Sequence, residues 1–188
     1  KFMAECKSMG IKISGPDVNE SRLKFSVNPL GVIRFGLGAI KGVGEAAVDA
    51  ILSERAANGP FTSPFDFVER INLSACNRKC IENIIYSGGF DCFKDIRREQ
   101  YFESNDSNTT FIDALLQYGL RYQADKQSQT LSLFGDFESI EVAKPKLPPL
   151  RDEWSDLDRL NREKDFIGLY ISAHPLDAYY VVLNHMCT

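Results

Sequence analysis

The sequence predicts a mainly α-helical protein with a small N-terminal β-hairpin, an extended C-terminal linker and further helix beyond the linker. Apolar residues recur at three- and four-residue intervals over most of residues 45–127, which is the spacing of amphipathic helices. Two short strand-like runs near the N-terminus flank a turn, which is typical of a hairpin. Residues 135–153 contain three prolines and few large apolar residues, which predicts extended chain.

The individual elements follow from the same patterns and from residues that begin or end helices. Residues 1–9 are predicted to form a helix that ends at Gly10. Short strands are predicted at residues 23–27 and 32–35, around a turn at 28–31. The other predicted helices are 45–55, Pro64–Arg70, Arg78–Tyr86, 97–102, 111–127 and 154–166. In the last of these, Leu157 and Leu160 are expected to face inward.

Composition restricts the class of protein. The chain has 188 residues, of which 44% are hydrophobic, and this excludes a wholly disordered chain and fits one domain with extensions. No apolar run reaches the ~20 residues that cross a bilayer. The net charge of -4 argues against holding nucleic acid by bulk positive charge, but not against local contacts. Residues 34–100 carry 9 basic and 9 acidic side chains and residues 136–165 carry 6 and 9, so the excess acid lies in the flanks.

The cysteines predict reduced thiols and a cytoplasmic protein. They are odd in number and only two lie close together, which makes a poor zinc site. The five are Cys6, Cys76, Cys80, Cys92 and Cys187. His174 has no second ligand at a useful spacing, so we expect a role in packing or in starting a helix, and we expect no metal or cofactor. Because the chain opens at Lys1 without an initiator methionine or a signal peptide, we expect a piece of a longer protein.

A glycine-rich turn is the strongest candidate for a functional site. Gly42-Val43-Gly44 precedes an alanine-rich helix, and two glycines one residue apart let the backbone turn sharply and leave amide groups exposed. These amides lie at the positive end of the helix dipole, which suits a phosphate oxygen. Lys41 adds a positive charge beside the turn. Contacts of this kind hold the phosphate backbone of DNA and carry no base information.

Other kinds of glycine-rich turn fit less well. A dinucleotide-binding turn needs a third glycine and a βαβ unit, and the phosphate loop of nucleotide triphosphatases needs Gly-Lys-Ser/Thr, which is absent. A purely structural tight turn stays open as an alternative. The pattern resembles the helix-hairpin-helix motif of DNA-binding proteins. A second copy is predicted about 45 residues later at Ser87-Gly88-Gly89, with Arg78, Lys79, Arg97 and Arg98 as neighbouring basic side chains that could reach phosphates.

Motifs in order along nearly the whole chain resemble the alpha subunits of bacterial DNA polymerase III. They are Gly15-Pro16-Asp17-Val18-Asn19, residues 33–44, Gly59-Pro60-Phe61, Phe65-Asp66-Phe67, Asn77-Arg78, Gly88-Gly89-Phe90-Asp91, Glu163-Lys164, Gly168-Leu169-Tyr170-Ile171-Ser172 and His174-Pro175-Leu176. The resemblance implies a tandem helix-hairpin-helix domain at residues 35–127 that binds duplex DNA behind the active site. It also implies the end of the fingers at 1–34, a clamp-binding motif and linker at 128–153, and a helical segment at 154–188 that leads to an OB-fold absent from this chain.

The resemblance also implies which activity these residues lack. The catalytic aspartates of the family belong to a palm domain N-terminal to this region. The Asp-x-Asp arrangement found here, Asp156 and Asp158, lies on the polar face of a predicted helix. We therefore expect a non-catalytic part of a DNA-directed DNA polymerase, which is a nucleotidyltransferase. The implied partners are duplex DNA, the sliding clamp (the beta subunit) and other replicase subunits, with no membrane contact.

A second candidate site follows the predicted helix 111–127. Leu131, Ser132, Leu133 and Phe134 match the sliding-clamp-binding motif of bacterial polymerases, in which a glutamine precedes an apolar residue, Ser or Asp, Leu and Phe. Thr130 takes the position of that glutamine, and Gln129 lies one residue early. Leucine and phenylalanine on a polar background before a proline-rich linker are suited to filling a pocket on a partner. The alternative is a loop whose apolar side chains pack on the helical core.

Two rival classes are defined by the same residues. A protein-interaction module would use the glycine turns only for packing. A metal-dependent enzyme would need clustered ligands, which the sequence does not offer.

Overall fold

The computed structural model of the chain describes residues 5–6, 8–105, 108–131, 142–151, 153–173 and 175–176, with the backbone alone at 129–131. The strands are β1 (Ile13–Ser14), β2 (Ser26–Val27) and β3 (Ile33–Arg34). The helices of the described residues are α1 (Glu45–Asn58), α2 (Pro64–Arg70), α3 (Arg78–Tyr86), α4 (Phe111–Leu131) and α5 (Asp156–Ile167), with 3₁₀ turns at Leu37–Ala39 and Arg98–Tyr101. The predicted fold class, mainly helical with a small N-terminal hairpin, is confirmed.

The predicted hairpin forms, and a third strand joins it. β2 pairs antiparallel with β3, and Asn28 closes the turn because its side-chain oxygen accepts hydrogen bonds from the amides of Leu30 and Val32. β1, which was not predicted, pairs parallel with β3, so the strand order is β1-β3-β2. Two-residue strands carry too little alternation to be recognised in a sequence.

Side-chain caps explain where most of the helices begin. Ser63, Asn77 and Ser155 each precede a helix and accept a hydrogen bond from a backbone amide of its first turn. Pro64 at the first position of α2 needs no amide partner there. α1 differs, because Gly44 precedes it and no side chain caps its first amides.

The core lies between the first four helices. Its largest fully buried side chains are Leu37, Ile40, Ile51, Phe67, Ile71, Ile81, Ile84, Ile85, Phe90, Tyr101, Ile112 and Leu115. α2 and α4 pack so closely that a Cβ on Gly119 would lie 2.8 Å from the Cβ of Val68. That contact explains a glycine in the middle of a long helix, where it otherwise costs about 1 kcal/mol. The thiols of Cys76 and Cys80 are buried and those of Cys6 and Cys92 are partly buried, and all four are free.

The C-terminal segment packs on the same core. Tyr86 of α3 stacks on Phe102, with ring centroids 4.0 Å apart, and on Phe166 of α5 at 5.0 Å. Trp154 lies 5.7 Å from Phe102, and Arg162 covers the indole ring at 4.0 Å. These contacts fix α5 against the end of α3.

A buried ion pair makes a second attachment of α5. Arg98 lies 2.9 Å from Glu163, and both side chains are almost fully covered by protein. Arg98 also donates to Asp91 at 2.7 Å, and Ser172 donates to Glu163 at 2.6 Å. The charges are therefore paired and hydrogen-bonded, which a buried ion pair requires.

The structure corrects three predicted details. α4 runs to Leu131, four residues past the predicted end, and the predicted helix at 97–102 is a 3₁₀ turn at Arg98–Tyr101. Leu157 is 53% exposed, so the prediction that it faces inward is wrong, whereas Leu160 is buried. α5 meets the core along Leu160, Glu163 and Ile167, and Leu157 on its first turn stays in solvent. Most of the predicted helix 1–9, together with His174 and Cys187, lies outside the described residues.

Residues 142–151 have no regular structure and lie along the helical core. Lys144 places its ammonium 3.7 Å from Glu69 and 5.4 Å from the centre of the Phe65 ring. The side chain of Gln100 donates a 2.9 Å hydrogen bond to the carbonyl of Pro148. The described part of the linker is therefore irregular chain that is held against the helical core.

Candidate nucleic-acid interface

The predicted glycine turn joins the first 3₁₀ turn to α1. The amide of Val43 donates to the carbonyl of Ile40 at 3.1 Å, and Gly42 has a φ of +77°, a conformation that favours glycine. A Cβ on Gly42 would also lie 2.5 Å from the side-chain nitrogen of Asn83. Val43 is buried, and Gly42 and Gly44 are exposed. The turn thus inserts one apolar side chain into the core and leaves its glycine backbone in solvent.

Two helices hold this turn in place. The side-chain amide of Asn83, on α3, donates a 2.7 Å hydrogen bond to the carbonyl of Lys41. The amide of Lys41 donates to the carbonyl of Phe166, on α5, at 2.8 Å. Because Asn83 is 5% exposed, its bond is protected from water, and its loss would leave a buried polar group unpaired. The Lys41 side chain itself is exposed.

The amides at the start of α1 are unoccupied. Within the described part of the chain, the amides of Gly42, Gly44, Glu45 and Ala46 donate to no acceptor, and they lie at the positive end of the helix dipole. An oxyanion could accept several of them together. The Glu45 carboxylate, on the same first turn, opposes an anion there and limits its affinity.

A second helix begins beside the first. The thiol of Cys76 donates to the carbonyl of Ala47 at 3.4 Å, which brings the residues before α3 against the first turn of α1. Lys79 and Asn83 are four residues apart on α3 and so share a face, and Asn83 contacts the glycine turn. Lys79 is exposed and forms no ion pair with any described residue, and it lies one helical turn before the residue that contacts the glycine turn.

The backbone at the start of α3 is the candidate contact that the sequence analysis missed. Arg78 and Lys79 were predicted as basic side chains at the start of a helix, but the amides of that first turn were not predicted to be available to a phosphate. Their amides donate to no acceptor among the described residues. The signal was Asn77, a residue favoured before a helix, which here accepts from the amide of Cys80 at 3.0 Å.

The Arg78 side chain is engaged within the protein. Its Nε lies 2.6 Å from Asp113 on α4, and its Nη1 lies 3.0 Å from Glu82. The hydrogen bond from Arg78 is the main reason why the pKa of the Asp113 carboxyl lies below its usual range. The guanidinium charge is thus offset by two carboxylates, and Lys79 is the better candidate for a phosphate.

The second predicted turn has a different role from the first. The amides of Ser87, Gly88 and Gly89 donate to the carbonyls of Asn83, Ile85 and Ile84, so they end α3 in a standard C-terminal cap. All three residues are buried. A Cβ on Gly88 would lie 2.3 Å from Arg98, and the carbonyl of Gly89 accepts from Val18. The amides of these three residues are thus used within the protein, unlike those of the first turn, and a contact of this second turn with phosphate stays a prediction.

The predicted clamp-binding residues lie at the edge of what is described. The backbones of Gln129 and Leu131 belong to the last turn of α4. Ser132, Leu133 and Phe134 lie outside the described residues. No helix among the described residues is both long and apolar enough to span a bilayer.

Comparison with known proteins places this geometry in context. Residues 10–100 match a family described as a helix-hairpin-helix motif. The DNA polymerase III subunit alpha of Treponema pallidum is 37% identical over 187 residues, which cover 100% of this chain and 15% of that protein. The corresponding subunit of Mycobacterium tuberculosis is 34% identical over 183 residues, 94% of this chain and 14% of that protein. The chain thus spans about one seventh of the length of the curated relatives that it matches. From end to end, it is similar to a segment of DNA polymerase III alpha subunits, and about half of it is similar to a helix-hairpin-helix family.

Proposed function

We propose that this chain is the part of a bacterial replicative polymerase alpha subunit that holds duplex DNA by its phosphates and tethers the polymerase to the sliding clamp. The observation that carries the DNA proposal is the pair of adjacent helix starts with unoccupied amides, flanked by Lys41 and Lys79. The similarity to DNA polymerase III alpha subunits and the helix-hairpin-helix match support it. Nucleotidyl transfer would belong to the rest of the polymerase, and replication would place the protein in the cytoplasm.

The proposed contact is to the DNA backbone and is independent of sequence. One phosphate would accept from the amides of residues 44–46, and Lys41 and Lys79 would neutralise that phosphate or its neighbours. Each neutralised phosphate adds about 0.9 to the slope of log affinity against log salt, so two lysines predict a slope of about two. With Glu45 nearby and a net charge of -4, the chain alone should bind DNA weakly.

The rival interpretation is a protein-interaction module whose glycine turns serve only for packing. The turn at Ser87-Gly88-Gly89 fits that interpretation. The first turn differs from it because its glycines are exposed and its amides are unoccupied. The DNA proposal therefore rests on the first turn and on the start of α3.

Binding of a fluorescent 20-base-pair duplex, followed by anisotropy against salt concentration, tests the DNA contact. Lys41→Glu combined with Lys79→Glu should lower affinity by more than about tenfold and reduce the salt slope by about two. Arg78→Ala should have a smaller effect, because that side chain already pairs with Asp113 and Glu82. Lys12→Glu, an exposed lysine beside β1, is the matched control. Equal loss of duplex affinity in the control and in the double variant would show that Lys41 and Lys79 do not form the DNA contact.

The clamp proposal rests on Gln129 and on Leu131 to Phe134. The backbone of Gln129 and Leu131 lies in the last described turn of α4, so this motif would begin on that helix. In a titration with purified sliding clamp from the same bacterium, Leu133→Ala combined with Phe134→Ala should abolish binding. Leu120→Ala, which changes an exposed leucine of α4, should leave binding intact. Comparing Gln129→Ala with Thr130→Ala then shows which residue takes the glutamine position. Undiminished clamp binding by the double variant would show that other residues make the clamp contact.

A further inference from the structure

A groove far from the glycine turn has no role in the proposed DNA contact. It has a volume of about 550 Å³ and lies between β2 and the C-terminal half of α1. Its lining consists of Arg22, Leu23, Lys24, Phe25, Ser26, Leu52, Arg55 and Ala56. Phe25 is 53% exposed although its ring packs on Phe35, and Val27 and Leu30 extend the apolar surface along the hairpin. Leu52 is eight residues from Gly44, so the groove lies about 12 Å along α1 from the proposed phosphate site.

The wall formed by β2 is a free strand edge. The amide of Asn28 donates to the carbonyl of Val32 and so points toward β3. Because backbone groups alternate in direction along a strand, the amide and carbonyl of Ser26, two residues earlier, also point toward β3. The amides and carbonyls of Phe25 and Val27 therefore point away from β3. Among the described residues, no hydrogen bond reaches them on that side. An unpaired edge of this kind is a template for another strand.

The rim of the groove is positively charged. Arg22 and Lys24 are exposed, and neither forms an ion pair with a described residue. Arg55 is fixed by hydrogen bonds from its guanidinium to the carbonyls of Val18 and Ser21. Burial lowers the pKa of Arg55, Asp17 opposes that shift, and the nearby charge of Arg22 adds to it. A carboxylate at the rim would relieve the repulsion between these two guanidinium groups.

We propose that this groove docks an extended acidic segment of a partner protein, which pairs with β2 as an additional strand. Its backbone would bond to the amides and carbonyls of Phe25 and Val27, an apolar side chain would enter between Phe25 and Leu52, and acidic side chains would flank it near Arg22 and Lys24. This is strand addition, in which the backbone supplies affinity and alternate side chains supply specificity. A peptide satisfies the strand edge, the apolar floor and the cationic rim together, whereas a single-stranded nucleic acid could use the cations and stack a base on Phe25 but would leave the strand edge unpaired.

Anisotropy of a fluorescent peptide, Glu-Leu-Asp-Val-Glu-Leu-Asp, with the whole 188-residue chain tests this proposal. We expect saturable binding and more than about tenfold weaker binding of a peptide with lysine in place of each acidic residue. Arg22→Glu combined with Lys24→Glu should weaken binding of the acidic peptide by a similar factor. Lys12→Glu, at the opposite edge of the sheet, should not change it. Absent binding, or equal binding of the two peptides, overturns the proposal.

Strand pairing is tested separately from charge. Val27→Pro removes an amide that points away from the sheet and replaces one apolar side chain with another. Proline is tolerated at such an edge position, so the chain should keep its circular dichroism spectrum. It should weaken peptide binding about fivefold. In the wild-type chain, hydrogen exchange at the Val27 amide should slow when peptide is added. Unchanged exchange and unchanged affinity of Val27→Pro overturn the strand-addition geometry. A single-stranded oligonucleotide that binds in place of the peptide, with sensitivity to Arg22→Glu but not to Val27→Pro, would assign the groove to nucleic acid instead.

Discussion

The side-chain amide of Asn83 lies 2.7 Å from the carbonyl of Lys41, so that α3 holds the turn from which α1 begins. The same nitrogen lies 2.5 Å from the place where a Cβ on Gly42 would stand. The turn is therefore defined from both sides, by the absence of a side chain at Gly42 and by the length and polarity of the side chain at Asn83. The surface that we assign to phosphate depends on this contact.

Gly42→Ala should destabilise the protein. The substitution places a Cβ against Asn83 at a φ of +77°, which an L-residue adopts at a cost of about 1–3 kcal/mol. Urea unfolding monitored by circular dichroism measures the loss. Gly44→Ala is the matched control, because φ is -78° there and no atom lies within 4 Å of the added Cβ. Equal losses at the two positions would contradict the assigned role of Asn83.

Gly44→Asp should separate stability from DNA binding. An aspartate before a helix accepts hydrogen bonds from the first amides and places a negative charge at the positive end of the dipole, so unfolding should cost about 0.5–1 kcal/mol more. Those amides are the ones proposed to bind phosphate, so duplex affinity should fall. Urea unfolding and duplex anisotropy measure the two effects. If the variant is more stable but binds duplex DNA with unchanged affinity, these amides do not contact the phosphate.

Arg98→Met should release α5 from the core. The substitution leaves Glu163, which is 1% exposed, without its buried partner, at a cost of about 3–5 kcal/mol. Trp154 is the single tryptophan of the chain and lies against Phe102, so its emission reports whether this segment is docked. Emission during urea unfolding should show an early transition in the variant.

Arg97→Met is the control for that experiment. Arg97 pairs with Glu153, but both side chains are more than half exposed, so the change should cost under about 1 kcal/mol. If both variants unfold alike, the buried ion pair does not hold α5.

The ion pair between Glu54 and Arg70, which joins α1 to α2 at 2.9 Å, predicts a pH dependence. The hydrogen bond from Arg70 is the largest effect on Glu54 and holds the pKa of its carboxyl below the usual range. A lowered folded-state pKa stabilises the protein above the unfolded pKa of ~4.3, and this contribution is lost as the pH falls toward the folded value.

Glu54→Gln should therefore cost about 0.5–1 kcal/mol at pH 7, and this cost should shrink as the pH falls below ~4.3. Chemical denaturation across this pH range measures the difference from wild type. Asp49→Asn, an exposed change on the same helix with no ion pair among the described residues, should show no such trend. A difference in unfolding free energy that does not shrink as the pH falls below ~4.3 would show that the ion pair is not its source.

Residues that act locally were predictable from the sequence. Pro64, Asn77 and Gly59 mark helix ends through their own side chain or their own backbone freedom, and α2 and α3 have the predicted bounds. The glycine turn at residues 42–44 was recognised for the same reason. The end of α4 was misjudged because the polar residues after Gln127 fit a helix as well as a loop, and local pattern does not separate the two.

The two glycine turns show what only the tertiary structure decided. In sequence, Gly42-Val43-Gly44 and Ser87-Gly88-Gly89 look like copies of one motif. In the fold, the first precedes a helix and leaves its amides in solvent, whereas the second ends a helix and uses its amides within it. The sequence by itself determined that the chain is helical, with a small hairpin and a sharp turn before α1. The fold decided that the start of α3 lies beside that turn, because Asn83 meets Lys41 across 42 residues of chain and such a contact leaves no trace in local spacing.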